Sequence, residues 1–132
     1  TGIGRAIALA FDGAGDAVTI TGRRDDPLKE TAALGKTIET RVADICDEAS
    51  VAALFDQPYD VVIANAGMGM AGKLRDTSLD DFNAMLSVNL TGVFLTFRAA
   101  LDGMGQGGRL IAIGSVDGAT TLFQVRMNQQ AF

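Results

Sequence analysis

The chain has 132 residues, 48% of them apolar, and a formal charge of −5, so it is one domain or part of one and lacks the basic stripe a nucleic-acid groove requires. It contains no histidine, which excludes Ser-His-Asp hydrolysis and His-ligated zinc within these residues, and the single Cys46 supports neither a disulfide framework nor a Cys-based metal site. No apolar run is long enough to span a bilayer and no basic segment leads a signal-like stretch, so the expectation is a soluble cytoplasmic protein with no nucleic-acid or membrane partner.

Ile3, Ile7, Ala10 and Phe11 recur at helical spacing and predict a helix over 3–12, ended by Gly13 and Gly15. Ala17 to Thr21 is a short β-rich run that turns at Gly22. Pro27 near a helix start, followed by Leu28, Thr31, Ala32 and Leu34, predicts a second helix ending at Gly35. Thr37 to Ala43 reads as a strand, and Asp47 as the N-cap of a helix carrying Val51, Leu54 and Phe55. The continuous apolar run within 60–65 is a buried strand. A long helix follows over 79–101, with Asp80 and Asp81 in its first turn, where the helix dipole favours negative charge. Gly103 to Gly108 is a loop, and Arg109 to Ser115 the last strand. Strict alternation of helix and strand with short connections predicts an α/β fold: a doubly wound parallel sheet with helices on both faces.

The chemistry-bearing residues sit at strand ends and helix starts. Gly2 and Gly4 open the first helix, whose N-terminal backbone N–H groups and partial positive charge suit a phosphate; a Gly-rich loop in a dinucleotide site has this form, but here only its second half is present, with no strand before it. After the strand ending near Thr21 an acidic residue would accept from an adenosine ribose. This chain has Gly22-Arg23-Arg24 instead, which suits a 2′-phosphate or, taken alone, is a solvated arginine pair answered by Asp25 and Asp26. Asp44-Ile45 and Asn65-Ala66-Gly67 follow the next two strands, where open parallel sheets bind ligands; equally, they are a loop carboxylate and a tight turn. Asn89 lies inside an apolar helix, unfavourable for propensity and costly if buried without partners. Ser115 ends the last strand.

Together these residues resemble the short-chain dehydrogenase/reductase family, from residue 1 to about Gly118. Gly2-Ile3-Gly4 is similar to the end of that family's glycine turn, Asp44 to its adenine-contacting Asp, and Asn65-Ala66-Gly67 to its Asn-Ala-Gly motif. Asn89 and Ser115 are similar to its catalytic Asn and Ser. The resemblance implies a Rossmann-like domain over 1–132, incomplete for want of the first strand and the C-terminal strands. It implies cofactor contacts at Gly2, Ile3, Gly4, Arg23, Arg24, Asp44, Ile45, Asn65, Ala66 and Gly67. The Arg pair resembles the NADP-preferring branch, so NADP is expected over NAD. The substrate would be a small carbonyl compound or alcohol, and the parent a homodimer or homotetramer through the 79–101 helix.

Two departures stand out. The family's first strand and first glycine are missing, and so is its Tyr-x-x-x-Lys. The only tyrosine, Tyr59, precedes the Asn-Ala-Gly strand, and the residues after Ser115 run to Arg126-Met127-Asn128-Gln129-Gln130-Ala131-Phe132 with no tyrosine. The tail over 122–132 matches nothing in the family, and a truncated or frame-disrupted reading frame would explain both ends. The chain is therefore expected to be the inactive part of an NADP(H)-dependent oxidoreductase, or a non-catalytic dinucleotide-binding relative. A methyltransferase on a doubly wound sheet is disfavoured by Gly22-Arg23-Arg24. Lacking the central strand, the isolated 132 residues are expected to be aggregated or molten.

Overall fold

The computed structural model describes residues 2–69, 74–116 and 119–126, with side chains described for 2–69 and 75–114. Its described residues group into two compact units, Thr1–Asp44 and Ile45–Phe132.

In the first unit, α1 (Gly2–Ala14) leads to β1 (Val18–Gly22), α2 (Asp25–Ala32) and β2 (Ile38–Val42). Helix α1 stops at Ala14 because Gly15 takes φ +98°, a left-handed conformation that glycine adopts without steric cost. Pro27 sits in the first turn of α2, where its missing N–H would have no helical partner anyway. Strands β1 and β2 run parallel, with Val18 opposite Ile38 and Gly22 opposite Val42. Ala8 and Leu28 are buried, together with the polar Asp12 and Thr31. Both polar groups are satisfied. Arg5 Nε donates to Thr31 Oγ1 at 3.0 Å, and that hydroxyl donates to the Pro27 carbonyl at 2.8 Å, which ties α1 to α2. The Asp12 carboxylate accepts the backbone N–H groups of Lys36 at 2.8 Å and Thr37 at 2.9 Å, holding the turn into β2.

In the second unit, α3 (Glu48–Ala52) runs into a 3₁₀ turn (Ala53–Phe55), then β3 (Val61–Ala64) and a 3₁₀ turn (Leu74–Asp76). Next come α4 (Leu79–Leu86), a π-helical segment (Ser87–Thr91), α5 (Gly92–Leu101), β4 (Arg109–Val116) and β5 (Ala119–Arg126). Asp47 caps α3 as expected, accepting from the Ser50 N–H at 2.7 Å. Ser78 caps α4, its Oγ accepting from the Asp81 N–H at 3.1 Å. Strands β3 and β4 pair in parallel from Val61–Arg109 to Ala64–Ala112. The core here is Val62, Ala100 and Leu110, packed by Phe55, Tyr59, Phe97, Leu101 and Met104. Burying a side chain such as Leu110, 2% exposed, contributes about 2 kcal/mol. Tyr59 meets Phe55 edge-on at 5.8 Å, so the single tyrosine has a packing role.

The expected alternation holds through β4. Among the described residues, β1 pairs with β2 and β3 with β4, in two separate sheets, so β1 and β3 share no ladder. Three points differ from the sequence reading. Strand β5 was not expected, and it is antiparallel to β4, from Arg109–Arg126 to Val116–Ala119. The part of the tail over 127–132 lies outside the described residues. The 79–101 helix is interrupted by the π segment. That helix also corrects the statement about membrane spans: its 23 residues, at a mean hydropathy of 1.4, are long and apolar enough by length and composition to cross a bilayer. Asn83, Ser87, Asn89 and Thr91 interrupt its apolar residues without lowering the mean hydropathy below that of a span.

Candidate cofactor and catalytic residues

In the first unit, Gly2, Ile3 and Gly4 form the first turn of α1, whose leading N–H groups have no helical acceptor. Gly2 has φ +58°, and a Cβ built on it would meet nothing within 4 Å. The position therefore combines a left-handed backbone with open space, the combination that lets an anion reach the N–H groups. No acidic side chain occupies this first turn. Ile3 is 57% exposed, so it is presented outward and adds little to the interior.

Arg23 and Arg24 follow β1 directly and are both exposed. The alternative in which Asp25 and Asp26 answer them is not seen among the described residues: Asp25 pairs with Lys29, one turn along α2, at 2.6 Å. Among the described residues neither arginine makes an ion pair. Arg24 is the extended residue preceding α2 and makes no capping hydrogen bond through its side chain. Gly22 belongs to β1, and a Cβ there would sit in ordinary contact with Leu28 at 3.6 Å. The glycine is therefore not required by packing. Asp44, half-buried, ends the first unit just after β2.

In the second unit, Ile45 opens the chain towards α3, and Asn65-Ala66-Gly67 follows β3, with Ala66 and Gly67 exposed. Asn89 sits at the centre of the π segment. It is exposed, so the burial cost considered for it does not arise, yet both ends of its amide are engaged. Oδ1 accepts from the Met68 N–H at 2.9 Å and Nδ2 donates to the Met68 carbonyl at 2.8 Å. A π turn widens the helix by one residue per turn and is a recurrent feature of functional helices. Here it carries the asparagine that holds the loop after β3. Gly67 lies beside that amide: a Cβ on it would come within 3.3 Å of Asn89 Oδ1. Ser115 lies near the end of β4, opposite Thr120 on β5; its side chain lies outside the described residues.

Two residues that sequence reasoning did not single out belong in this description. Met68 supplies the peptide that Asn89 grips. Gly92, one turn beyond Asn89, is buried against Ile45, with a Cβ position 2.6 Å from Ile45 Cδ1. Its signal was available, since a glycine inside a helix is unfavourable and usually has a packing reason.

The family model described as "short chain dehydrogenase" matches residues 1–127, further than the motifs, which end near Gly118. A relative from Lentilactobacillus kefiri, an NADP-dependent (R)-specific alcohol dehydrogenase, is 36% identical over 89% of this chain and 51% of its own length. Sulfoacetaldehyde reductase 2 of Chromohalobacter salexigens is 30% identical over 89% of this chain and 52% of its own. A short-chain dehydrogenase from Burkholderia cenocepacia, solved in complex with NADP, superposes with a TM-score of 0.77 at 34% identity, covering 86% of this chain and 51% of the other. The chain thus spans about half the length of the curated relatives it matches. By family match and fold, it belongs to the short-chain dehydrogenases/reductases.

Proposed function

We propose that the protein carrying this chain is an NADP(H)-dependent oxidoreductase that interconverts a carbonyl and an alcohol on a small substrate. The observation that carries the cofactor choice is the Gly22-Arg23-Arg24 sequence at the end of β1: two exposed guanidinium groups with no ion pair among the described residues, and no carboxylate where a ribose diol would need one. The NADP dependence named for the Lentilactobacillus kefiri relative supports the same choice.

The residues present fit a dinucleotide. In the first unit, Gly2, Ile3 and Gly4 would take the pyrophosphate on the α1 N-terminus, Arg23 and Arg24 the 2′-phosphate, and Asp44 the adenine amino group. In the second, Ile45 and Asn65-Ala66-Gly67 would border the cofactor. When bound, NADP(H) supplies or accepts the hydride. The chain's own residues do the rest. Asn89 fixes the loop after β3 through the Met68 peptide, and Ser115 would hold the substrate oxygen by a hydrogen bond. The proton-donating Tyr of the family has no counterpart among these 132 residues, because Tyr59 packs against Phe55. Arg126 cannot substitute, since a guanidinium keeps its proton near neutral pH. We therefore expect these 132 residues alone to show no turnover.

The five large apolar residues exposed along the 79–101 helix support a second element of the reading, a homo-oligomeric parent assembled through this helix.

The reading is tested by titrating the full-length protein with NADPH and NADH separately, by fluorescence or calorimetry. Tighter binding of NADPH is expected; equal or tighter binding of NADH would overturn the assignment.

A further inference from the structure

We infer that Gly92 is a positioning residue for cofactor binding, setting where Ile45 lies. The inference rests on the NADP(H) reading and goes one step past it, to a residue that touches no ligand.

Inside a helix a glycine is destabilising by about 1 kcal/mol relative to alanine. Gly92 is the first residue of α5, buried, directly after the π segment, and its φ of −62° is helical, so no left-handed backbone explains it. What explains it is the close approach of Ile45, side chain first and then backbone. A Cβ on Gly92 would lie 2.6 Å from Ile45 Cδ1, 3.0 Å from Cγ1 and 3.3 Å from the Ile45 carbonyl oxygen. The terminal methyl could swing away about χ2. The Cγ1 atom could not, because χ1 of a β-branched side chain is stiff, and the carbonyl oxygen is backbone. A Cβ at 92 therefore requires Ile45 to give way, its backbone by a few tenths of an ångström.

The location gives that displacement a consequence. Ile45 directly follows Asp44 at the carboxyl end of β2, among the residues that would border the cofactor. Asn89 lies at the centre of the π segment and Gly92 directly follows its end. Asn89 holds the Met68 peptide by two hydrogen bonds, and Gly92 admits Ile45 by having no side chain. Residues 89 and 92 therefore hold two separate loops, one through an amide and the other through an empty position.

The test is a double-mutant cycle in the full-length protein, using Gly92→Ala and Ile45→Ala, since alanine lacks both the Cγ1 and the Cδ1 atoms that crowd position 92. NADPH dissociation constants are measured by fluorescence titration, with kcat at saturating NADPH alongside. Overpacking of this kind should weaken NADPH binding about tenfold in G92A, with a smaller effect on kcat. The same substitution should cost markedly less in the I45A background. A G92A protein that binds NADPH as well as the unaltered one, or an equal loss in both backgrounds, would overturn the inference. Should G92A alone be insoluble, the double variant decides: soluble and NADPH-binding supports the contact, insoluble overturns it. Failure of the unaltered protein to bind NADPH would sink the cofactor reading and this inference with it, whereas normal binding with an indifferent G92A sinks only the latter.

Discussion

Asn89 engages both hydrogen-bonding groups of a single residue, Met68, accepting its N–H at 2.9 Å and donating to its carbonyl at 2.8 Å. Only an amide side chain can do both at once, because it carries a donor and an acceptor side by side. This separates it from its nearest replacement. Asn89→Asp keeps the acceptor but sets a carboxylate oxygen against the Met68 carbonyl, and Asn89→Ala loses both bonds. Each bond is worth about 1 kcal/mol, so N89A should loosen the 65–69 loop by about 2 kcal/mol, with N89D no better. Hydrogen exchange at the Met68 amide reads this directly. Unchanged protection in N89A would show that the loop is held by something else.

The cofactor choice should be reversible at the end of β1. Gly22→Asp fits, because a Cβ there meets only Leu28 at an ordinary 3.6 Å, and it restores a carboxylate able to accept from a ribose diol. Combined with Arg23→Ile, it should turn a preference for NADPH into one for NADH. Losing a charge-assisted bond to phosphate should by itself weaken NADPH binding by roughly tenfold to a hundredfold. Parallel titrations of both cofactors check this, and retained NADPH preference in the double variant would count against the two arginines.

Asp12 makes a pH-dependent contribution to stability. The backbone N–H of Lys36, and next that of Thr37, hold its carboxyl below the usual carboxylate range, against a smaller opposing effect of burial. A carboxylate whose folded value is depressed stabilises fully above its unfolded value and loses that contribution as pH falls through the folded one. The loss should therefore fall below about pH 4. Asp12→Ala should lower the melting temperature of the full-length protein at neutral pH and flatten its acid limb. Identical acid limbs for the two proteins would refute the assignment.

Much of the fold was legible because local chemistry and pattern agree. Asp47 and the Asp80–Asp81 pair marked helix starts, Gly15 marked a stop, and the apolar run at 61–64 marked a buried strand. Strand β5 was missed because its residues were compared with family motifs and not with turn chemistry. Asp117-Gly118, two residues between 109–116 and 119–126, is a dipeptide that favours two-residue hairpins, and Thr120, Thr121, Phe123 and Val125 favour strands. In the candidate site, sequence spacing located Asn89 but could not identify Met68 as its partner. A contact between residues 21 positions apart depends on how the π segment meets the loop after β3, and no periodicity encodes that.

The long helix carries the last prediction. Leu79, Phe82, Leu86, Leu90 and Phe94 are 71%, 42%, 38%, 65% and 56% exposed, and their spacing of three and four residues places them along one stripe. The opposite side is occupied: Leu95 and Ala100 are buried, and Phe97 packs against the Val62–Leu110 core. At the polar edge, Arg98 pairs with Glu48 and lies 5.1 Å over the Phe94 ring, which leaves the rest of that ring available. A stripe of this kind suits a second copy of itself, and each fully covered leucine or phenylalanine would contribute about 2 kcal/mol. The same helix meets the length and hydropathy of a membrane span, so the measurement has to separate the two. Replacing Leu90 and Phe94 together by aspartate should convert the full-length protein from a dimer or tetramer to a monomer in sedimentation at micromolar concentration. The unaltered protein should stay in the supernatant when mixed with neutral vesicles and spun down. A monomeric unaltered protein, an assembly that survives both aspartates, or co-sedimentation with vesicles would each overturn self-association through this stripe.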